Sequence, residues 1–256
     1  MTLAYKSSNG AHLPRLRGSG VRLVTTPAFK EVVLRVTEAV DHSGIVIVSG
    51  ANGLGKSVAA QSALDRVHKT RGVEVIAVEA ASAADTRVLT ELLAEAFGVS
   101  VNQRNLSWTR FLIGAAMEDR QFVLWIDEVG NVNREVLLAL RGWHDRAGAS
   151  WSLLLTGTER MVELIRTTQP ELISRASRVV AFQPLAPKAS VAFAQQLHVR
   201  FNATEPLLLR NAHEQWCAGI PRRWAQLLAD SLEYSPETDG PFDAETLDLA
   251  IRTLAR

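Results

Sequence analysis

Four β-branched residues, Ile45-Val46-Ile47-Val48, lead through Ser49 into Gly50-Ala51-Asn52-Gly53-Leu54-Gly55-Lys56-Ser57, and a helical pattern over residues 56–69 follows at once. Few folds admit this order. A continuous β-branched run suits a strand buried on both faces, and such strands belong to parallel sheets covered by helices. The loop fits G-x-x-x-x-G-K-[ST], whose glycines let backbone N–H groups turn inward around an anion. A helix starting at Lys56 points the positive end of its dipole at the same place. The stretch therefore predicts a phosphate-binding loop. Lys56 is expected to reach the β- and γ-phosphates, and the Ser57 hydroxyl to ligate Mg²⁺. Gly50, Ala51, Asn52, Gly53, Leu54, Gly55, Lys56, Ser57 and Val58 are the expected nucleotide-binding residues.

The rest of the chain repeats the strand–helix alternation. Thr26 and Pro27 open a helix bearing Phe29, Val32, Val33, Val36 and Val40. Strands are expected at 45–48, 73–78, 122–126, 151–155 and 179–182. Helices are expected at 85–97, closed by Gly98, at 107–117 with Ser107 as cap, at 133–147 and at 161–166, with Pro170 marking a turn. This predicts an α/β class with a five-stranded parallel sheet. After Pro187 the pattern changes to helices alone, at 190–201, 206–217, 221–232 and 244–254. The expected organisation is a flexible arm over residues 1–20, an α/β domain over 21–185 and a small all-helical lid over 186–256.

Composition narrows the function classes. The chain has 256 residues, 47% hydrophobic and 21% charged, which excludes a wholly disordered or fibrous protein. Its one cysteine, Cys217, forms no intramolecular disulfide and excludes a Cys-rich zinc module. The expected compartment is the reducing cytoplasm, with no signal peptide and no membrane-spanning run. Cys217 reads as a small buried hydrophobe. The histidines show no metal-ligand spacing. Net charge is only +1, but residues 1–40 hold six basic residues against two acids, and residues 230–256 hold seven acids against two arginines. A basic front can touch a polyanion.

Phe122-Val123-Leu124-Trp125-Ile126 is an apolar strand running into Asp127-Glu128, some seventy residues after the phosphate loop. Asp127 is placed to hold Mg²⁺ through water, and Glu128 to polarise an attacking water. Trp125 reads as core filler. A further strand runs Leu153-Leu154-Leu155-Thr156-Gly157-Thr158.

Together, a phosphate loop, an Asp-Glu strand, a strand ending in a polar residue and a helical appendage resemble the AAA+ ATPases. The resemblance implies ATP as ligand, Mg²⁺ as cofactor and hydrolysis to ADP and phosphate. It makes Thr158 the first choice for the residue sensing the γ-phosphate, with Thr156 second. Ile173-Ser174-Arg175-Ala176 is similar to the clamp-loader segment whose arginine enters the neighbouring subunit's site. That makes Arg175 the candidate finger, with Arg178 as fallback. Gly219-Ile220-Pro221-Arg222 resembles the second sensor, which implies a nucleotide contact from Arg222, preferred to Arg223 by register.

Within that superfamily, residues 138–145 (Leu-Ala-Leu-Arg-Gly-Trp-His-Asp), the 153–158 strand, Arg175 and Phe182-Gln183-Pro184-Leu185 resemble the transposition-helper ATPases, the MuB, TniB and TnsC group. Val24-Thr25-Thr26-Pro27 is similar to that group's segment near the adenine. The loop departs by ending Leu-Gly-Lys-Ser where Thr-Gly-Lys-Thr is usual, but Ser57 keeps the hydroxyl. The resemblance implies a head-to-tail homo-oligomer, ring or filament, on double-stranded DNA, with a transposase as partner and sequence-independent phosphate contacts. Arg104, in the segment 101–110, is the expected DNA contact. The competing readings are an AAA+ ATPase acting on protein in signalling or secretion, and a helicase-loader-like ATPase.

Overall fold

The computed structural model describes residues 20–79, 86–129, 134–146, 148–236 and 240–256. The expected arm, except Gly20, and the expected helix ends at Asp85, Asn133 and Ala147 lie outside them. The chain divides into two compact units. The first holds residues 27–51 and 56–182; the second holds the described residues 20–26, 52–55 and 183–256.

In the first unit the order is α1 (Pro27–His42), β1 (Ile45–Gly50), α2 (Lys56–Arg71), β2 (Glu74–Glu79), α3 (Thr86–Ala96), α4 (Leu106–Met117), β3 (Phe122–Asp127), α5 (Arg134–His144), β4 (Ser152–Gly157), α6 (Glu159–Thr168), α7 (Pro170–Arg175) and β5 (Ala176–Phe182). The strands form one parallel five-stranded sheet in the order β2-β3-β4-β1-β5. Every residue of β1 is buried, as a central strand covered on both faces requires. Ile45, Ile47, Leu124, Ile126, Leu153 and Leu155 share a core with Leu89, Leu93, Ile113, Leu140 and Trp143 of the helices on one face. Strand alternation sends Val46, Val48, Trp125, Leu154 and Thr156 to the other face. There α1 and α2 pack on each other and on the sheet.

The second unit holds α8 (Pro187–Leu197), α9 (Val199–Ala203), α10 (Pro206–Ala212), a π-helical turn (His213–Cys217), α11 (Pro221–Tyr234) and α12 (Ala244–Leu254). Its core gathers Phe201, Leu209, Cys217, Trp224, Leu228 and Phe242. Burial pushes the Cys217 thiol pKa up, so it packs as a hydrophobe. Arg200, buried, ties the unit's C-terminal segment down: its guanidinium donates to the Gly240 and Ser235 carbonyls and lies over the Phe242 ring at 4.0 Å.

Several elements differ from the pattern reading. The helix expected over 190–201 breaks at His198, which is extended; its Nδ1 accepts from the Arg200 N–H and starts α9. The helix expected over 206–217 changes to a π turn at His213, ending at a left-handed Ala218. Asn105, not Ser107, caps α4, its side chain accepting from the Trp108 N–H at 3.0 Å. A short helix, α7, stands where only a turn at Pro170 was expected, and β5 begins at Ala176, three residues before the apolar run.

Gly219 has φ +76°, and a Cβ there would lie 2.2 Å from the Leu185 carbonyl oxygen. Gly219→Ala is therefore expected to lower stability by about 3 kcal/mol, from backbone strain plus overpacking. Urea unfolding of wild type and variant measures it.

Candidate nucleotide-binding site

The candidate site forms at the C-terminal edge of the sheet, where open α/β sheets bind ligands. Here β1 stops at Gly50, which has φ +147°. Gly50 faces Phe182 of β5, and a Cβ would stand 2.5 Å from the Phe182 carbonyl oxygen. Only glycine lets the chain leave the strand there. Lys56 opens α2 and is buried; its ammonium donates to the Gly50 carbonyl at 2.8 Å and the Ala51 carbonyl at 2.9 Å. The side chain is thus laid back along the loop. Ser57 and Val58 follow, half-buried, in the first turn of the 16-residue α2, whose free N–H groups and dipole favour an anion.

Two strands away, β3 ends at Asp127. Asp127 Oδ1 accepts from the Glu128 N–H at 2.9 Å and from the Thr156 hydroxyl. Glu128 is exposed, with φ +58°, a conformation uncommon for a non-glycine residue and worth reading as functional. Thr156 stands on β4 between Asp127 and β1, opposite Val48. Thr158 caps α6 with no side-chain bond to the helix and is half-buried. Both threonines therefore stay candidates on position, but the Thr156 hydroxyl is engaged by Asp127.

Among the described residues no cluster of three or more His, Cys, Asp or Glu could by itself hold a metal. Mg²⁺ needs only one or two protein oxygens plus substrate phosphates. The Ser57 hydroxyl and the Asp127 carboxylate are hard oxygen donors of that kind.

The arginines are placed differently. Arg175 ends α7, is 47% exposed and pairs with Asp145, which also takes Arg141 at 3.3 Å. Arg178 is 57% exposed on β5 and pairs with Glu31 at 3.3 Å. His144, beside Asp145, donates from Nε2 to the Ser43 carbonyl; burial, with the nearby Arg175 charge, pulls its pKa down. In the second unit Arg222 is exposed in the first turn of α11, and its N–H donates to the Gly53 carbonyl at 3.0 Å. Arg223 is committed to the Trp216 carbonyl at 2.7 Å and lies over its ring. Arg104 is exposed in the turn before α4, its N–H held by the Asn102 side chain. The structure thus brings Gly50, Lys56, Ser57, Asp127, Glu128, Thr156 and Thr158 to one edge of the sheet. It puts Arg175 at the opposite end of β5, and Arg104 ahead of α4. The sequence reading missed Asp145 as the partner of Arg175, and the Trp125–Thr156 contact, which no local pattern signals.

Residues 39–165 match the family model of an AAA domain. Among solved structures, the Aeropyrum pernix ORC2 protein, in ADPNP–ADP complexes, is similar at TM-score 0.67 and 16% identity, over 96% of this chain and 70% of that one. The Aeropyrum pernix ORC1 protein in complex with DNA is similar at TM-score 0.65 and 16% identity, over 89% of this chain and 64% of that one. Domain III of the Thermotoga maritima replication initiation protein DnaA is similar at TM-score 0.61 and 18% identity, over 90% of this chain and 94% of that one. The chain has the AAA+ P-loop fold. No curated protein matches it in sequence. No described helix is long and apolar enough to cross a membrane.

Lys56→Ala is expected to weaken ATP binding by about 10–100-fold, the loss of a charge-assisted hydrogen bond worth about 1.5–3 kcal/mol. Titration with a fluorescent ATP analogue measures this, and undiminished affinity would remove Lys56 from the site.

Proposed function

We propose that this chain is an ATP-hydrolysing, DNA-binding AAA+ regulator of transposition that assembles head to tail on double-stranded DNA and recruits or activates a transposase. The observation that carries the ATPase is the shared sheet edge of Lys56, Asp127 and Glu128. Glu128 accepts a hydrogen bond from the attacking water, whose oxygen bonds the γ-phosphorus as the bond to the ADP oxygen breaks. Lys56 holds phosphate charge, and Thr158 donates its hydroxyl to the γ-phosphate. By the resemblance to the second sensor, Arg222 adds a guanidinium to the nucleotide. Ser57, and Asp127 through water, would hold Mg²⁺, which when bound would supply positive charge against the phosphates.

Strand length supports the action of Arg175 on a second copy. Gly50 pairs with Phe182, the last residue of β5, while Arg175 immediately precedes the first, Ala176. Seven residues at about 3.3 Å each put roughly 20 Å between Arg175 and its own loop, too far for one side chain. An arginine that completes a site must then complete a neighbour's, an interface that closes as a ring or grows as a filament.

DNA is supported by the exposed Arg104 and by residues 101–117, which hold Arg104 and Arg110 and no acid. The similarly folded Aeropyrum pernix ORC1 protein was solved in complex with DNA, which supports this reading. The motifs over 138–145, 153–158 and 182–185 support the transposition branch. A role in replication initiation is the second reading, favoured by the likeness to the ORC and DnaA proteins. Stimulation of strand transfer by a co-encoded transposase, dependent on ATP and on this protein, tests the first reading against it.

Binding to duplex DNA is expected to need ATP, tolerate any sequence and fall with salt, because phosphates are what is held. Arg104→Glu should reduce it at every salt concentration without changing ATP affinity; equal binding across a salt series would exclude Arg104.

Arg175→Ala is expected to bind ATP normally yet lose turnover by about 10³-fold, together with assembly. Mixed with Lys56→Ala, which keeps its finger, some junctions pair an intact loop with an intact arginine, so ATPase should partly return. Mixed oligomers as inactive as their parents would shift the role to Arg178.

A further inference from the structure

Trp125 and Thr156 sit on neighbouring strands and on the same face of the sheet. Trp125 pairs across with Leu154, so Thr156 is the next same-face residue toward the functional edge. Thr156 is fully buried and Trp125 nearly so. The indole N–H donates to Thr156 Oγ1 at 3.0 Å. An indole nitrogen can only donate, so this contact occupies a lone pair of the hydroxyl and turns its single proton away. Two acceptors stand on the other side, Asp127 Oδ1 and, at 3.4 Å, the Ile126 carbonyl. The carboxylate is the stronger acceptor. Asp127 Oδ1 then holds two donors, the Thr156 hydroxyl and the Glu128 N–H at 2.9 Å, which together fix the carboxylate's rotation.

We propose that Trp125 is a positioning residue for the Asp127 carboxylate: by fixing the Thr156 hydroxyl as a donor to Oδ1, it leaves Oδ2 to hold the water through which Mg²⁺ would be bound. This rests on the reading of Asp127 as the Mg²⁺ acid. Phenylalanine at 125 would fill most of the same space but leave the hydroxyl free to turn to the Ile126 carbonyl. The arrangement also commits the Thr156 proton, which leaves γ-phosphate sensing to Thr158.

Trp125→Phe removes the N–H, Thr156→Val the hydroxyl, and Thr156→Ser keeps the hydroxyl. The first measurement is the Mg²⁺ concentration that half-saturates binding of a fluorescent ATP analogue, with Asp127→Ala as reference. Trp125→Phe and Thr156→Val should each need about 10-fold more Mg²⁺, the usual scale for outer-shell partners of a metal ligand, and Thr156→Ser no more than about two-fold. The double variant Trp125→Phe/Thr156→Val should be no worse than Thr156→Val, because Trp125 acts through Thr156. The second measurement needs no nucleotide or metal. In protein labelled with ¹⁵N-tryptophan, the Trp125 indole signal, identified by its loss in Trp125→Phe, should exchange slowly with solvent, faster in Thr156→Val and unchanged in Thr156→Ser. Should Thr156→Val fail to fold, Trp125→Phe and Thr156→Ser still decide the matter. A wild-type Mg²⁺ requirement in Trp125→Phe, while Asp127→Ala raises it, overturns the proposal and leaves the Asp127 reading standing. An unchanged requirement in Asp127→Ala overturns both.

Discussion

The parallel pairing of β1 between β4 and β5 is the constraint on which the first unit depends. It buries Ile45 to Gly50 completely and ends where Gly50 meets the Phe182 carbonyl oxygen. With the strand held on both sides, the chain leaves the sheet only through a residue without a side chain. The turn that follows delivers Lys56 to the start of α2, its ammonium resting on the loop's own carbonyls. Because β4 also pairs with β3, the same registration sets Thr156 beside Asp127. Loop, acid and hydroxyl are therefore placed by one set of ladder hydrogen bonds, not by separate accidents of loop conformation.

What the sequence disclosed follows from how local its signals are. β-branched and apolar runs mark strands 45–48 and 122–126 because burial on both faces leaves no polar position, and both are strands in the fold. The loop and the Asp127-Glu128 end are contiguous motifs, so they were legible residue by residue. The break at His198 was not: helical spacing continues through Val199 and Phe201, and only the ring nitrogen accepting from the Arg200 N–H marks a new start. Asn105 outcompetes Ser107 as a cap because the Asn102–Asn105 turn places its side chain against the Trp108 N–H. β5 begins with Ala176, Ser177 and Arg178, partly exposed where an edge strand can carry polar residues, so its apolar signal starts late. The Trp125–Thr156 bond joins residues 31 apart and depends on sheet register, which no window of sequence reports.

The arginines show how burial decides availability. Arg200 and Arg223 are spent on carbonyls and rings inside the second unit. Arg222, next in sequence to Arg223, keeps its side chain exposed because its backbone, not its guanidinium, makes the bond to Gly53. In the first unit Arg175 and Arg178 each meet one carboxylate while remaining about half exposed. Exposed pairs of this kind contribute little to stability, on the order of 0–1 kcal/mol, so they cost little to exchange for another anion.

The carboxylate that holds Arg175 is itself placed by the element that follows β3. α5 starts at Arg134, six residues after Glu128, and ends at His144, next to Asp145. Eleven helical residues span about 16 Å, so the helix crosses from the edge that carries Glu128 to the end of the sheet that carries Arg175. Val136, Leu137, Leu140 and Trp143 bury its inner side, and Arg141 joins it to Glu171 of α7 at 3.4 Å. The Glu128 edge and Arg175 lie at opposite ends of the sheet, and one packed helix spans the distance between them.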